Sequence, residues 1–380
     1  MTRRPTVVRR APGKLFVAGE YAVVEPGNPA ILIAVDRYVT VTVSDPGDPG
    51  APGDPGGAVV VLSSDLTPHT AHCRWRDGRL GGAEPRDERL LHESFAHVAA
   101  AVETVGLLLA ERGLPAPALD VSVSSELHDN GTKFGFGSSG AVVVATVAAM
   151  AAHCGLDLTR DARFRLAMIA TAGLEPKASG GDLAAGTWGG WIAYRAPDRA
   201  AVLDLARRAG IEEALRVPWP GHEVRALPRP AGLALEVGWT GTPASTSSLV
   251  SGLDRRTWRG SASHRKFVET SNDFVRASVD ALEGADGEGL LRQIRRARHE
   301  LARIDEEVGL GIFTPRLTAL CEAAEAVGGA AKPSGAGGGD CGIALLDAEA
   351  AQDIAHVRKR WTTAGVRPLP IRPAMEGNAE

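Results

Sequence analysis

The segment Lys133–Cys154, KFGFGSSGAVVVATVAAMAAHC, joins a glycine-rich turn to a long apolar, alanine-rich run. Glycine at 135, 137 and 140 lets the backbone fold tightly and come close to a ligand. Ser138 or Ser139 is placed to cap the helix that follows. Free backbone N–H groups and the helix dipole then make an anion site, most naturally for phosphate. A capped core helix after an ordinary turn is the plain alternative. Three motif patterns compete here. The G-x-G-x-x-G spacing of a dinucleotide site should follow a strand directly, with an acid about 20 residues on. In this chain the polar segment Glu126–Phe134 separates the strand candidate Leu119–Ser125 from Gly135, and Asp157 and Asp161 fall in a turn or helix start. The protein-kinase form G-x-G-x-x-G-x-V, ending at Val142, has no H-R-D or D-F-G partner in the chain. A Walker loop is excluded because Ala141 stands where its lysine belongs.

Outward from this segment, the chain has 380 residues, enough for about two domains. Forty-two Lys and Arg against 46 Asp and Glu give a net charge of −4, which points away from nucleic-acid and membrane surfaces. MTRRPTVVRR at the start is basic but lacks the apolar stretch of a signal peptide. The four cysteines are scattered without C-x-x-C, as thiols of a cytoplasmic protein would be, and the ten histidines show no zinc spacing. Oligomeric state is not specified, and a homodimer stays open.

Leu15–Ala18, Ala30–Val35 and Tyr38–Val43 read as strands, with Ala11-Pro12-Gly13-Lys14 leading in and Gly19-Glu20-Tyr21 between the first two. Asp45–Ala58 is a Pro/Gly-rich loop. Val59–Ser63 and Ala71–Arg76 are further strands. Arg86–Arg112 has the periodicity of one helix, stopped by Gly113 and Pro115. Thr159–Leu174 is a helix capped by Thr159, followed by Ala178-Ser179-Gly180-Gly181-Asp182 and a strand at Trp188–Tyr194. A domain boundary is expected at Ala196–Pro197, dividing the chain into 1–195 and 196–380. Then come a strand at Leu233–Gly238, the turn Thr240–Ser248, and helices Ser263–Leu282, Gly287–Val308 and Pro315–Val327. Lys332–Asp340, KPSGAGGGD, is a third glycine loop, and Cys341–Leu346 a strand. A last helix from Asp347 to about Thr363 and a strand Val366–Ile371 precede a frayed tail from Pro373. Strands and helices mix without regular βαβ alternation, so the fold class is α+β.

Phosphoryl transfer is mainly positioning and charge neutralisation. Lys14 can supply a cation, Ser138 or Ser139 can reach Mg²⁺, and Asp182, among small residues, can face an acceptor. Each has a bland alternative: a solvated lysine, a helix cap, a tight loop.

The order of these blocks resembles the GHMP kinases, the family of galactokinase, homoserine kinase and mevalonate kinase. Its three motifs look like Ala11–Tyr21, Gly135-Phe136-Gly137-Ser138-Ser139-Gly140 and Lys332–Asp340. Within the family, Ala11–Ile31, Lys133–Gly140 and Gly335–Leu345 are most similar to the branch whose acceptor is phosphomevalonate. Tyr21 stands where mevalonate kinases and galactokinases usually have His. The resemblance implies a first domain like ribosomal protein S5 domain 2 and a ferredoxin-like second domain, with ATP at their junction. It implies transfer from ATP, with Mg²⁺, to (R)-5-phosphomevalonate, giving 5-diphosphomevalonate. Mevalonate kinase and diphosphomevalonate decarboxylase are the neighbouring readings, and a silent ATP- and metabolite-binding sensor is one of another class. By position, Lys14 and Asp182 would be catalytic. Lys133, Gly135, Phe136, Gly137, Ser138, Ser139 and Gly140 would hold ATP, and Ser138 and Ser139 the metal. Lys14, Glu20, Tyr21, Ser179, Gly181, Ser245, Ser247, Gly337 and Gly338 would line the acceptor. Glu175, seven residues before Asp182, is too near it to match the family's second metal-binding acid. A phosphomonoester is mostly dianionic at pH 7, so no strong base is needed. Lys14 would neutralise the repulsion between two anions, with Asp182 orienting Lys14 or the acceptor. Lys133, Arg265 and Lys266 are candidates for the acceptor phosphate.

Overall fold

The computed structural model describes residues 4–46, 58–129, 131–244 and 258–374. Most of the Asp45–Ala58 loop, together with Ser245 and Ser247, lies outside them. Strand β1 (Val7–Ala18) pairs with the long β2 (Pro29–Ser44), one continuous strand where two were expected. The sheet continues through β3 (Val59–Ser64), β4 (Thr67–Arg76), β5 (Arg79–Gly82) and β6 (Leu119–Ser125). A hairpin of β7 (His128–Asp129) and β8 (Thr132–Lys133) leads into the glycine turn. Strands β9 (Trp191–Arg195) and β10 (Glu223–Leu227) complete a sheet ordered β10-β9-β2-β6-β3-β4-β5, with β1 on β2. Because β10 pairs with β9, this sheet extends past the division expected at Ala196–Pro197.

The β1–β2 ladder breaks where Pro12 faces Tyr38 but Gly13 faces Val35. This bulge leaves Asp36 and Arg37 without partners on β1, and it re-aims the chain just before Lys14. The tail fills the gap. Asp36 N–H donates to Arg372 O (2.9 Å) and Ala374 N–H to Ala34 O (2.8 Å), so Pro373 and Ala374 are pinned rather than frayed.

Helix α1 (Pro85–Glu93) and α2 (Ala96–Glu111) replace the single helix expected over Arg86–Arg112 and meet at 95°. Leu90 O accepts from both Ser94 and Phe95 N–H, which closes the first ladder, and Phe95 is buried at the corner. Helix α3 (Ser138–His153) packs on β1, β2, α2 and α4 (Arg160–Leu174). Covered on so many sides, it is apolar all round, and its alanines permit close approach. Thr159 caps α4, its Oγ1 accepting from Ala162 N–H at 3.1 Å. Helix α5 (Gly181–Trp188) occupies the start of the expected Trp188–Tyr194 strand. Gly189 and Gly190, both with positive φ, end it before β9 begins. Helices α6 (Arg199–Ala209) and α7 (Ile211–Arg216), unanticipated from sequence, follow.

The second sheet is antiparallel, ordered β12-β13-β11-β14, from β11 (Leu233–Trp239), β12 (Ala330–Pro333), β13 (Cys341–Asp347) and β14 (Arg367–Leu369). Helices α8 (Ala262–Glu283), α9 (Gly287–Val308) and α10 (Pro315–Glu325) lie between β11 and β12, and α11 (Ala351–Thr363) between β13 and β14. The order and pairing are ferredoxin-like.

Candidate active site

The glycine turn sits where both sheets meet, and its spacing has a steric cause. A Cβ on Gly135 would lie 2.6 Å from Asp340 Oδ2. On Gly137 it would lie 3.1 Å from both Lys14 Cε and Asp182 Cβ, and on Gly140 2.8 Å from Asp182 Cβ. Each glycine is vacant because a charged side chain passes through the space. Gly135 and Gly137 also hold φ of +86° and +72°, which favour glycine.

Gly137 is the N-cap of α3, with no side-chain cap bond. Ser138 and Ser139 therefore do not cap the helix, contrary to expectation, because they already lie within it. Both serines, with Lys133, line a cleft shared with Ser94, His97 and His128. The N–H groups of the first turn form the positive end of a 16-residue helix and have no side-chain cap.

Lys14 follows the bulge. Its N–H donates to Phe136 O (2.8 Å) and its Nζ to Gly135 O (3.3 Å), so strand and loop hold it at both ends. Asp182 stands in the first turn of α5, its Oδ1 accepting from Leu183 N–H at 3.0 Å. Gly180, at φ +75°, and the bond from Tyr194 OH to Ser179 O (2.7 Å) set the preceding loop. Burial pushes the Asp182 carboxyl above the usual aspartate range, while the Lys14 ammonium pulls it down. Asp340, at the end of the third glycine loop, is raised by the same cause and opposed by Ala244 N–H, Lys14 and Lys133. Lys14 thus lies within electrostatic reach of two carboxylates.

These elements match known proteins along the whole chain. Residues 96–190 match the GHMP kinases N terminal domain, and residues 279–362 the GHMP kinases C terminal model. The sequence is 69% identical over 376 residues to a phosphomevalonate kinase of Streptomyces sp., covering 99% of both chains. The chain belongs to the GHMP kinases. It is also 27% identical to a mevalonate kinase of Pyrococcus horikoshii, over 98% of this chain and 96% of that one. Among solved structures, a Streptococcus pneumoniae phosphomevalonate kinase in complex with phosphomevalonate and AMPPNP superposes with a TM-score of 0.81 at 27% identity, covering 97% of this chain and 99% of that one. The Lin0012 protein of Listeria innocua gives 0.85 at 30%, over 98% of each chain.

Within this GHMP kinase, the remaining expected residues lie in several places. Ser179 and Gly181 stay beside Asp182, Gly181 N–H lying 3.3 Å from Ser179 Oγ. Glu20 and Tyr21 lie beneath the site. Glu20 is buried in an ion pair with Lys332, whose Nζ also donates to Pro333 O at 2.7 Å. The buried Tyr21 OH donates to Ala336 O at 2.5 Å. Both therefore brace the third glycine loop from the first motif. Gly337 and Gly338 fold against Ile312, Gly338 N–H donating to Ile312 O at 2.8 Å. Arg265 and Lys266 are exposed, and Arg265 turns to Gly260 O at 2.7 Å.

Three contributors were not singled out from sequence: Lys332, Ser334 and Asp340. Ser334 Oγ accepts from Phe16 N–H (2.8 Å) and donates to Phe16 O (3.1 Å), tying the third loop to β1. All three lie in the KPSGAGGGD block, whose local pattern speaks only through its glycines.

Proposed function

We propose that this chain transfers the γ-phosphoryl group of ATP to (R)-5-phosphomevalonate, giving ADP and 5-diphosphomevalonate. The 69% identity to the Streptomyces phosphomevalonate kinase, sustained across 99% of both chains, carries the choice of acceptor. The geometry supports the chemistry. The open first turn of α3 suits the ATP phosphates, and the cleft lined by Ser94, His97, His128 and Lys133 suits the nucleoside. Lys14, fixed to the loop by Gly135 O and Phe136 O, lies where two anions must approach. Asp182 orients Lys14 and, with Ser179 and Gly181, faces the acceptor. The acceptor phosphate brings its own nucleophilic oxygen, so Asp182 need not be a strong base.

The donor set also fits Mg²⁺. Ser138 and Ser139 offer hard oxygen ligands on the rim of the phosphate cleft, and Mg²⁺ takes few protein ligands beside phosphates and water. Bound there, the ion would neutralise charge on the phosphate oxygens. Glu175 is turned to His97 Nε2, 3.3 Å away, and is not assigned to the metal.

ADP release measured with mevalonate, its 5-phosphate and its 5-diphosphate tests the reading. Release with the 5-phosphate alone is expected. Carbon dioxide evolved from the diphosphate would make the enzyme a decarboxylase, and turnover of mevalonate a mevalonate kinase. ATP binding without any turnover would make it a sensor.

A further inference from the structure

Asp340 follows four glycines in Gly335-Ala336-Gly337-Gly338-Gly339, yet it too adopts positive φ, +50°. Glycine would hold that backbone at no steric cost, whereas a non-glycine residue there stores strain. The side chain is the reason to look further. Its Oδ1 accepts from Ala244 N–H at 3.1 Å, at the end of the turn that leaves β11. Its Oδ2 reaches across to the other sheet and fills the space above Gly135. Its backbone is clamped on both sides: Asp340 N–H donates to Thr242 O (2.8 Å), and Asp340 O accepts from Thr240 N–H (2.9 Å) and Thr240 Oγ1 (3.0 Å). The next residue, Cys341, places Sγ 3.2 Å from Phe134 O, fixing the same junction. Lys14 Nζ bonds the O of the same Gly135 at 3.3 Å, so the ammonium and the carboxylate meet at one residue, and the charges of Lys14 and Lys133 both reach Asp340.

We infer that Asp340 is a second positioning carboxylate for the reaction, acting on Lys14 together with Asp182 and coupling the turn 240–244 to Gly135. Lys14 then answers to two acids at the glycine turn, one from the start of helix α5 and one from the end of the third glycine loop. The arrangement keeps its ammonium aimed while no anion is bound, and it depends on the two sheets being docked. This inference rests on the phosphoryl-transfer reading above. It does not depend on which acceptor is used.

The test uses Asp340→Asn, Asp340→Gly, Lys14→Met and the Asp340→Asn/Lys14→Met pair, each assayed as full-length enzyme in single turnover. Asparagine keeps the acceptor for Ala244 N–H and tolerates positive φ but removes the charge. Glycine relieves the strain and removes the whole side chain, so it folds even if asparagine does not. Both are expected to lower the rate of transfer by about 10- to 100-fold, the scale for partners that orient a reacting group. Affinity for a non-hydrolysable ATP analogue should change less than about threefold, since a residue acting in the chemical step spares uniform binding. In the Lys14→Met background the Asp340→Asn loss should largely vanish, because the two act as a unit. Near-normal transfer in Asp340→Asn, or a loss that adds in full to that of Lys14→Met, overturns the inference. Failure of wild-type enzyme to turn over any acceptor would instead overturn the phosphoryl-transfer reading.

Discussion

Lys14 and Asp182 are joined through the glycines that make room for them, so charge and shape can be tested separately. Lys14→Ala removes the cation between two phosphate groups. Turnover should fall by about 10²- to 10³-fold with the fold intact by circular dichroism, the usual cost of deleting one preorganised electrostatic group. Near-normal turnover would remove Lys14 from the mechanism. The pH dependence follows from burial of Asp182, which raises its carboxyl above the usual aspartate value of 3.8 against the opposing pull of Lys14. The ionised form orients Lys14, so the acid limb of kcat should lie above the range of a free aspartate. Stability runs the other way. A raised folded-state pKa makes the folded protein bind the proton more tightly, so stability falls as pH rises from 3.8 through the raised value. Asp182→Asn should therefore increase Tm at pH 7 while abolishing most turnover, and the gain should shrink toward pH 3.8. A Tm below wild type at pH 7 would show that the Lys14 attraction outweighs burial. Gly140→Ala separates shape from charge. Alanine is worth up to about 1 kcal/mol over glycine inside a helix. Its Cβ, however, would stand 2.8 Å from Asp182 Cβ and push the carboxylate aside. Turnover should fall at least tenfold, about 1.4 kcal/mol or more in the barrier, without loss of fold. A fully active Gly140→Ala would deny that Asp182 needs that space.

At the level of elements, the first-motif turn and β12 are locked by Glu20 and Lys332, 312 positions apart and both buried. Buried ion pairs gain little over apolar replacements, but breaking one side leaves a stranded charge worth about 3–5 kcal/mol. Lys332→Met should cost that much in urea unfolding, and Glu20→Gln added to it should recover most of the loss. Equal effects for the single and double variants would mean that the charges do not sense each other. This pair also shows what could be read from the sequence. The glycine blocks were legible because clustered glycine is itself a sequence pattern, although the side chains that need the space, Asp340, Lys14 and Asp182, lie far along the chain, and the Thr159 cap was legible because its signal lies within one turn. The third motif was legible as a block, yet Lys332, Ser334 and Asp340 act on residues of the opposite sheet, which no local pattern reports. The α1–α2 corner was hidden for another reason: Leu90, Leu91, Phe95 and Val98 keep helical spacing through a break made by backbone bonding at Leu90 O. Ser138 and Ser139 fit a capping role by residue type alone. Gly137 took that place, and the change frees their hydroxyls for ligand.

Two sheets and two family segments would ordinarily lead one to expect two unfolding units, since chains of this size often violate two-state behaviour. The packing argues otherwise. One contiguous apolar core contains Ile33 and Val35 of the first sheet together with Val237, Ile343 and Leu345 of the second. Phe274 and Val275 of α8 and Leu290 and Ile294 of α9 belong to it as well. The returning chain end adds to β2 through the pairs of Ala34 and Asp36 with Ala374 and Arg372, so the first sheet is not complete until the last described residues are in place. Phe134 stacks on Phe136 and meets Trp239 edge-on, at 5.4 and 5.1 Å, placing an aromatic contact from β11 directly on the phosphate loop. Arg367 of β14 lies over Trp239 at 4.8 Å and bonds Asp129 Oδ2 at 2.6 Å, closing the same seam from outside. Separating the sheets would therefore expose core surface and dismantle the site in one step. Calorimetry should show a single transition with equal calorimetric and van't Hoff enthalpies, and urea curves from circular dichroism and tryptophan fluorescence should coincide. A non-hydrolysable ATP analogue at about 100 times its Kd should stabilise the whole transition by ~2.7 kcal/mol, because the site exists only when both sheets are docked. Two resolved transitions, with the analogue moving only one, would show that the first sheet folds and binds nucleotide without the second, and Asp340 could then have no part in holding Lys14 before the sheets meet.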